Sequence, residues 1–352
     1  MVDHAQSNEA TRSKRRRRGM IIALVAIIVA SVGLPFTGAL MSEPSFAQES
    51  SQQVNPRAET WREARRGVEG TTTVSGQETN VLIQSGGEVW QSIRQGPVVT
   101  YSGWILLGVI VAIILFQLIF GTVKLEHRSG NTITRWSLFE RVIHWYTAIL
   151  FIILAITGLS LLLGKALVIP LIGKEAFAAW ANFAKPVHDY LAIPFSVGLV
   201  LMVLPWMGDN IPRAHDLKWL MMGGGYVGGR GEHPPAGFVN AGEKIWYWLL
   251  FFGAIVLIWS GFYLLFPNMG WERSTMQLAN IAHAISGTLL VAFSFGHMYL
   301  GTLGNEGSFE GMWTGEVDEE WAKHHHNLWY EEVKSGARKD KGAPAGSQAA
   351  RA

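Results

Sequence analysis

The chain has 352 residues, 49% of them apolar and 16% charged, and its 29 Lys and Arg against 27 Asp and Glu leave a formal charge of +2. So slight an excess gives no electrostatic footprint for nucleic acid. There is no cysteine, which excludes iron–sulfur ligation, disulfides and c-type haem attachment within this chain and leaves His or Met to hold any redox cofactor.

The first 47 residues read as a targeting signal. A basic cluster, Lys14 to Arg18, precedes the apolar runs Met20 to Ala30 and Leu34 to Met41, and the small residues Ser45 and Ala47 stand ahead of Gln48. That is the pattern of a signal peptide cleaved near Ala47, or of an uncleaved signal anchor; either one exports the next stretch of chain. Residues 48–100 are polar and form an extracytoplasmic segment with no helical or strand period of useful length.

Tyr101 to Val123 predicts an extra transmembrane helix running outside to inside, with Trp104 as an interfacial aromatic. Lys124, Arg128, Arg135 and Arg141 place the next loop in the cytoplasm by the positive-inside rule. A second span runs outward from His144 to Gly164, and after a short outer loop a third opens at His188 and runs inward. The loop from Gly208 to Lys244 is cytoplasmic, with Arg213, Lys218, Arg230 and Lys244. Its glycine run, Gly223 to Gly225, lacks the strand, helix and Lys of a phosphate loop and reads as a flexible connection. Ile245 to Phe266 returns outward, Ile281 to Leu303 goes inward, and residues 305–352 are a cytoplasmic tail. The expected fold is an all-α membrane protein: a transmembrane helical bundle of four core helices within residues 124–304, plus the extra N-terminal span after the signal.

Of eleven histidines, only His144, His188, His283 and His297 lie in or at the edge of apolar spans. Ionisable groups there are costly and usually functional. His283 and His297 are fourteen positions apart, close to four turns, so both leave one face of a helix about 21 Å apart along its axis. Topology puts His188 with His283 at the outer level and His144 with His297 at the inner level. Two tiers of paired imidazoles suit two b-type haems, each iron taking one nitrogen from each side. Each ring must be neutral and oriented through its second nitrogen. Gly158, Ala284, Gly287 and Gly296 leave room for a flat macrocycle, although small residues also serve plain helix packing. Met202 and Met298 read as packing. His324 to His326 have no supporting carboxylate or Cys pattern for a metal and read as solvated or partner-contacting. A transporter would need polar or broken helices at mid-membrane, and a haem-free anchor would lack a b-type spectrum.

From about Arg135 to Tyr330 the chain resembles the gamma subunit of respiratory formate dehydrogenase, a di-haem cytochrome b. The matching pieces are ERVIHW, HDYLAIPF, GDNIP with KWL, FVNAGEK, IAHAISG, GHMY and EGMWTGEVDEEWAKHHHNLWY. The resemblance implies two haem b, the outer on His188 and His283 and the inner on His144 and His297. It also implies a quinone site beside the inner haem, at Asn240, Gly242, Glu243 and His297. Glu243 stands where the family often has Gln, a departure that would make this carboxyl a proton donor; read alone, Asn240 before a helix is an N-cap. The implied partners are an iron–sulfur (beta) subunit and a molybdenum or tungsten catalytic (alpha) subunit on the periplasmic side, membrane lipid, and further copies of the complex. The chain would then be the quinone-reducing subunit of a formate:quinone oxidoreductase in the bacterial cytoplasmic (inner) membrane, multi-pass with a cytoplasmic C-terminus, with no catalytic residue for formate itself. The cytochrome b subunit of a membrane-bound nickel–iron hydrogenase shares the haem arrangement and is the alternative.

Overall fold

A computed structural model describes residues 62, 85–226 and 234–338. The signal segment, most of the expected extracytoplasmic segment and the end of the tail lie outside the described residues. Chain order begins with α1 (Ser85–Ile93), which passes through a π-helical turn at Arg94–Val98 into α2 (Val99–Phe120). Then come β1 (Thr132–Thr134), α3 (Leu138–Leu162), the short α4 (Ile169–Ile172), α5 (Lys174–Trp206) and α6 (Ala214–Met221). After the glycine-rich loop come α7 (Ala241–Leu265) and α8 (Arg273–Tyr299), which a π-helical turn extends to Gly304. The tail forms α9 (Ser308–Thr314), β2 (Glu316–Asp318), α10 (Glu319–His325) and α11 (Asn327–Lys334).

Five helical stretches among the described residues are long and apolar enough to cross a membrane: Val89–Phe120, Leu138–Leu162, Lys174–Trp206, Ala241–Leu265 and Arg273–Gly304. Their outward faces are apolar, as with Ile149, Ile152 and Ile156 on α3, the i, i+3, i+7 stripe that a helix offers to lipid. Two starts differ from expectation. The first span begins before Tyr101 because Val89, Trp90 and Ile93 continue an apolar helix, and Arg94 Nε donates to Asn280 Oδ1 at 2.9 Å. The third begins at Lys174 rather than at His188, because the Ala-rich KEAFAAWANFAK has no breaker; Trp180 Nε1 ties it to Ser160 Oγ at 2.8 Å.

The chain divides into two compact units. In the unit of residues 85–111, 157–186 and 256–289, Thr288 Oγ1 donates to Ala284 O at 2.8 Å and accepts from Ser102 Oγ, 2.9 Å away. With the Arg94–Asn280 bond this gives one register along the two helices, so α2 and α8 run parallel there. In the second unit, residues 112–156, 187–255 and 290–338, Tyr299 Oη donates to Gln117 Oε1 at 2.6 Å, and Val123 forms a parallel bridge with Asn305.

The second unit also holds a small non-membrane core. The antiparallel pair β1–β2 sets Ile133 against Val317, and Phe238, Val239, Trp321, Ala322 and Trp329 close over them. The tail is therefore folded back on the loops rather than trailing. Asp318 locks this closure. Burial alone would raise its carboxyl, but the backbone N–H groups of Glu320, Ser129 and Gly130 and the Ser129 hydroxyl hold it below the usual range.

Candidate functional site

His144 lies in the second turn of α3 and His297 in the last turn of α8, both in the second unit. Their ring centroids are 6.2 Å apart with planes tilted by 58°. Two imidazoles on opposite sides of one metal, with metal–nitrogen bonds of about 2 Å each, have centroids roughly 6 Å apart. His144 Nδ1 is buried without a hydrogen-bond partner, which is costly in a protein interior. A Cβ added to Gly296, beside His297, would meet no heavy atom within 4 Å, so the backbone is open to a flat group. Arg141, one turn before His144, donates from a terminal nitrogen to Trp313 O at 2.8 Å, while its Nε is buried and unpartnered. These residues fit a haem: two facing imidazoles, open backbone, and a cationic donor available to a carboxylate. Trp246 stacks on His297 with centroids 5.3 Å apart and planes at 18°, restricting the ring to one orientation.

His283, in α8 of the first unit, has its Nδ1 3.0 Å from Ser260 Oγ. His188 lies fifteen residues into α5 and belongs to the second unit. The expected inner pair is thus brought face to face, while His188 and His283 fall in different units.

Asn240 and Glu243 begin α7 as a reciprocal cap. Glu243 N–H donates to Asn240 Oδ1 at 2.9 Å, and Asn240 N–H donates to Glu243 Oε2 at 2.8 Å, the capping-box arrangement that satisfies two orphan donors. Both residues also line a pocket, with Trp219, Tyr226, Asn305, Trp321 and His324 to His326 around it. Gly242 and His297 are not among the lining residues. A Cβ at Gly242 would come within 2.9 Å of the Trp219 ring, so this glycine admits Trp219. His297 faces His144 and Trp246 instead.

The Glu243 side chain is 43% exposed and turns Oε1 toward Arg135, 3.4 Å away, and His326 Nε2, 4.0 Å away. Arg135 is buried. Its guanidinium donates to Phe238 O at 2.8 Å and lies 4.9 to 5.4 Å from the ring centres of Phe238, Trp321, Trp329 and Trp136. Burial lowers its pKa, and Glu243 opposes that. His326 is 1% exposed, correcting the solvated reading of the triplet at this position. Its Nδ1 meets Gly237 O at 2.7 Å; a carbonyl only accepts, so Nδ1 carries the proton. Burial, then the Arg135 charge, push its pKa well below the ordinary histidine value. Tyr226 is pushed up to about 12, mainly by burial, while its hydroxyl donates to Asn305 Oδ1 at 2.6 Å. The apolar Trp321, Ala322 and Trp329 that flank His326 are the sequence signal that this stretch packs inward.

Residues 135–315 match the family model described as prokaryotic cytochrome b561. Among curated proteins, the cytochrome b556(Fdn) subunit of the nitrate-inducible formate dehydrogenase of Escherichia coli K12 is 28% identical over 217 residues, 60% of this chain and 97% of that protein. The cytochrome b556(fdo) subunit of formate dehydrogenase from the same strain is 24% identical over 220 residues, 60% and 98% of the two chains. The formate dehydrogenase cytochrome b556 subunit of Haemophilus influenzae is 26% identical over 223 residues, 62% and 90%.

Proposed function

Because the chain belongs to the prokaryotic cytochrome b561 family, a membership that implies haem b, we propose that it is the di-haem cytochrome b subunit of a formate dehydrogenase, carrying electrons across the membrane to quinone. The observation that carries this reading is the His144–His297 pair, two imidazoles at the spacing that one shared iron demands. The relatives' names favour formate over hydrogen as the source of electrons.

Haem iron supplies a one-electron carrier that neither gains nor loses protons at its imidazole ligands. In this reading His144 and His297 hold the inner group and Arg141 takes one of its carboxylates. His188 and His283 hold the outer group, on the argument of depth along their helices. Trp246 keeps the His297 ring in place. The cavity at the start of α7 admits the quinone head, with Asn240 and Glu243 at its wall. Glu243 accepts protons from the cytoplasmic side, past His324, His325 and His326, and passes them to the quinone oxygen as it is reduced. An iron–sulfur subunit and a molybdenum or tungsten catalytic subunit dock on the periplasmic side. Each elementary charge moved across the membrane corresponds to about 2.3 kcal/mol per 100 mV.

The test is a reduced-minus-oxidised spectrum of the purified complex with haem quantified per chain. Two haems per chain, and loss of one in His297→Ala together with quinol formation, are expected. A colourless preparation from haem-replete cells, or full quinone reduction by that variant, overturns the proposal.

A further inference from the structure

We infer that Ser260 is a positioning residue for the iron-ligating ring of His283 and lowers the reduction potential of the outer haem. The inference rests on the reading of His283 as a haem ligand. Ser260 sits on α7, fully buried, with its Oγ 2.6 Å from Val256 O and 3.0 Å from His283 Nδ1. A serine has one hydroxyl proton. The short contact to a carbonyl, which only accepts, takes that proton, so Oγ presents a lone pair to His283. At 3.0 Å two lone pairs would repel; the hydrogen bond therefore requires the proton on Nδ1.

This chain of bonds has two effects. First, the His283 tautomer is fixed with Nε2 unprotonated, the form a metal requires, and the ring cannot turn without losing this bond. Second, a hydroxyl that already donates to a carbonyl is a stronger acceptor. It draws the Nδ1 proton outward and raises the basicity of Nε2, as outer-shell partners of metal-bound histidines do. A more basic ligand favours the ferric over the ferrous state and lowers the potential.

The experiment is a redox titration of the intact complex, following the b-type absorption of both haems, in three variants. Ser260→Ala removes the acceptor from a site small enough to keep its packing. It is expected to retain both haems, shift one wave to higher potential and leave the other in place. Ser260→Thr keeps the hydroxyl and its bond to the i−4 carbonyl and is expected to restore the wave toward wild type. His283→Ala is expected to delete the wave that moved. Two waves unmoved in Ser260→Ala, with one lost in His283→Ala, overturn the inference and leave the ligand reading standing. Both haems retained in His283→Ala overturn the ligand reading, and the inference with it.

Discussion

The Lys244 ammonium is gripped by both carboxylate oxygens of Asp216, at 2.8 and 3.0 Å, with both residues buried. The same carboxylate accepts from Arg213 N–H at 2.7 Å, starting α6, so one side chain joins the loop helix to the first turn of α7. Removing one member of a buried pair strands the other charge, at a cost of about 3–5 kcal/mol. Asp216→Ala should therefore lower the thermal midpoint of the purified complex clearly, and Asp216→Ala with Lys244→Met should recover much of the loss. If the single variant melts like wild type, the pair has no structural role.

His144→Ala and His297→Ala should each remove the same haem, because both rings face one site. Pyridine haemochrome analysis should find about half the wild-type haem in either single variant and no further loss in the double. Unequal or additive losses would mean that the two rings serve different groups.

Glu243→Gln preserves the acceptor for Asn240 N–H and abolishes the charge near Arg135. If this carboxyl delivers protons, quinol formation should fall about a hundredfold, the low end of general acid–base contributions, with haem content and haem reduction by formate intact. Unchanged turnover with a water-soluble quinone would remove Glu243 from the proton path.

His326 is neutral in the fold, whereas the unfolded chain titrates near 6.5. Above that pH both states are neutral and the residue adds no pH dependence. Below it only the unfolded tail takes up the proton, so the tail loses stability as pH falls from 6.5 toward the depressed folded value, by up to about 1.4 kcal/mol per unit. Proteolysis of residues 305–338 in membranes should accelerate across that window. His326→Asn, which can still donate to Gly237 O, should flatten the profile.

The spans and the four histidines were legible because ionisable residues stand out against long apolar runs. The buried charges were not. Arg135 and Lys244 read as cytoplasmic loop charges, yet one is enclosed by four aromatic rings and the other is paired in the interior. Their burial comes from residues distant in sequence: Phe238 lies 103 positions from Arg135, and Asp216 lies 28 from Lys244. No local periodicity records such contacts. The start of α5 was missed for the opposite reason, since an Ala-rich stretch looks like a loop only when hydropathy alone is weighed.

Ser102 and Gln117 on the first described membrane helix are matched by Thr288 and Tyr299, 186 and 182 positions later. During synthesis the ribosome must thread every other span before those polar groups meet their partners. Until then a hydroxyl and an amide wait in lipid or against whatever holds the nascent chain. A message truncated before the final span would thus yield a first helix whose Ser102 hydroxyl and Gln117 amide oxygen never meet those partners, a lesion that membrane quality control can recognise without inspecting any haem.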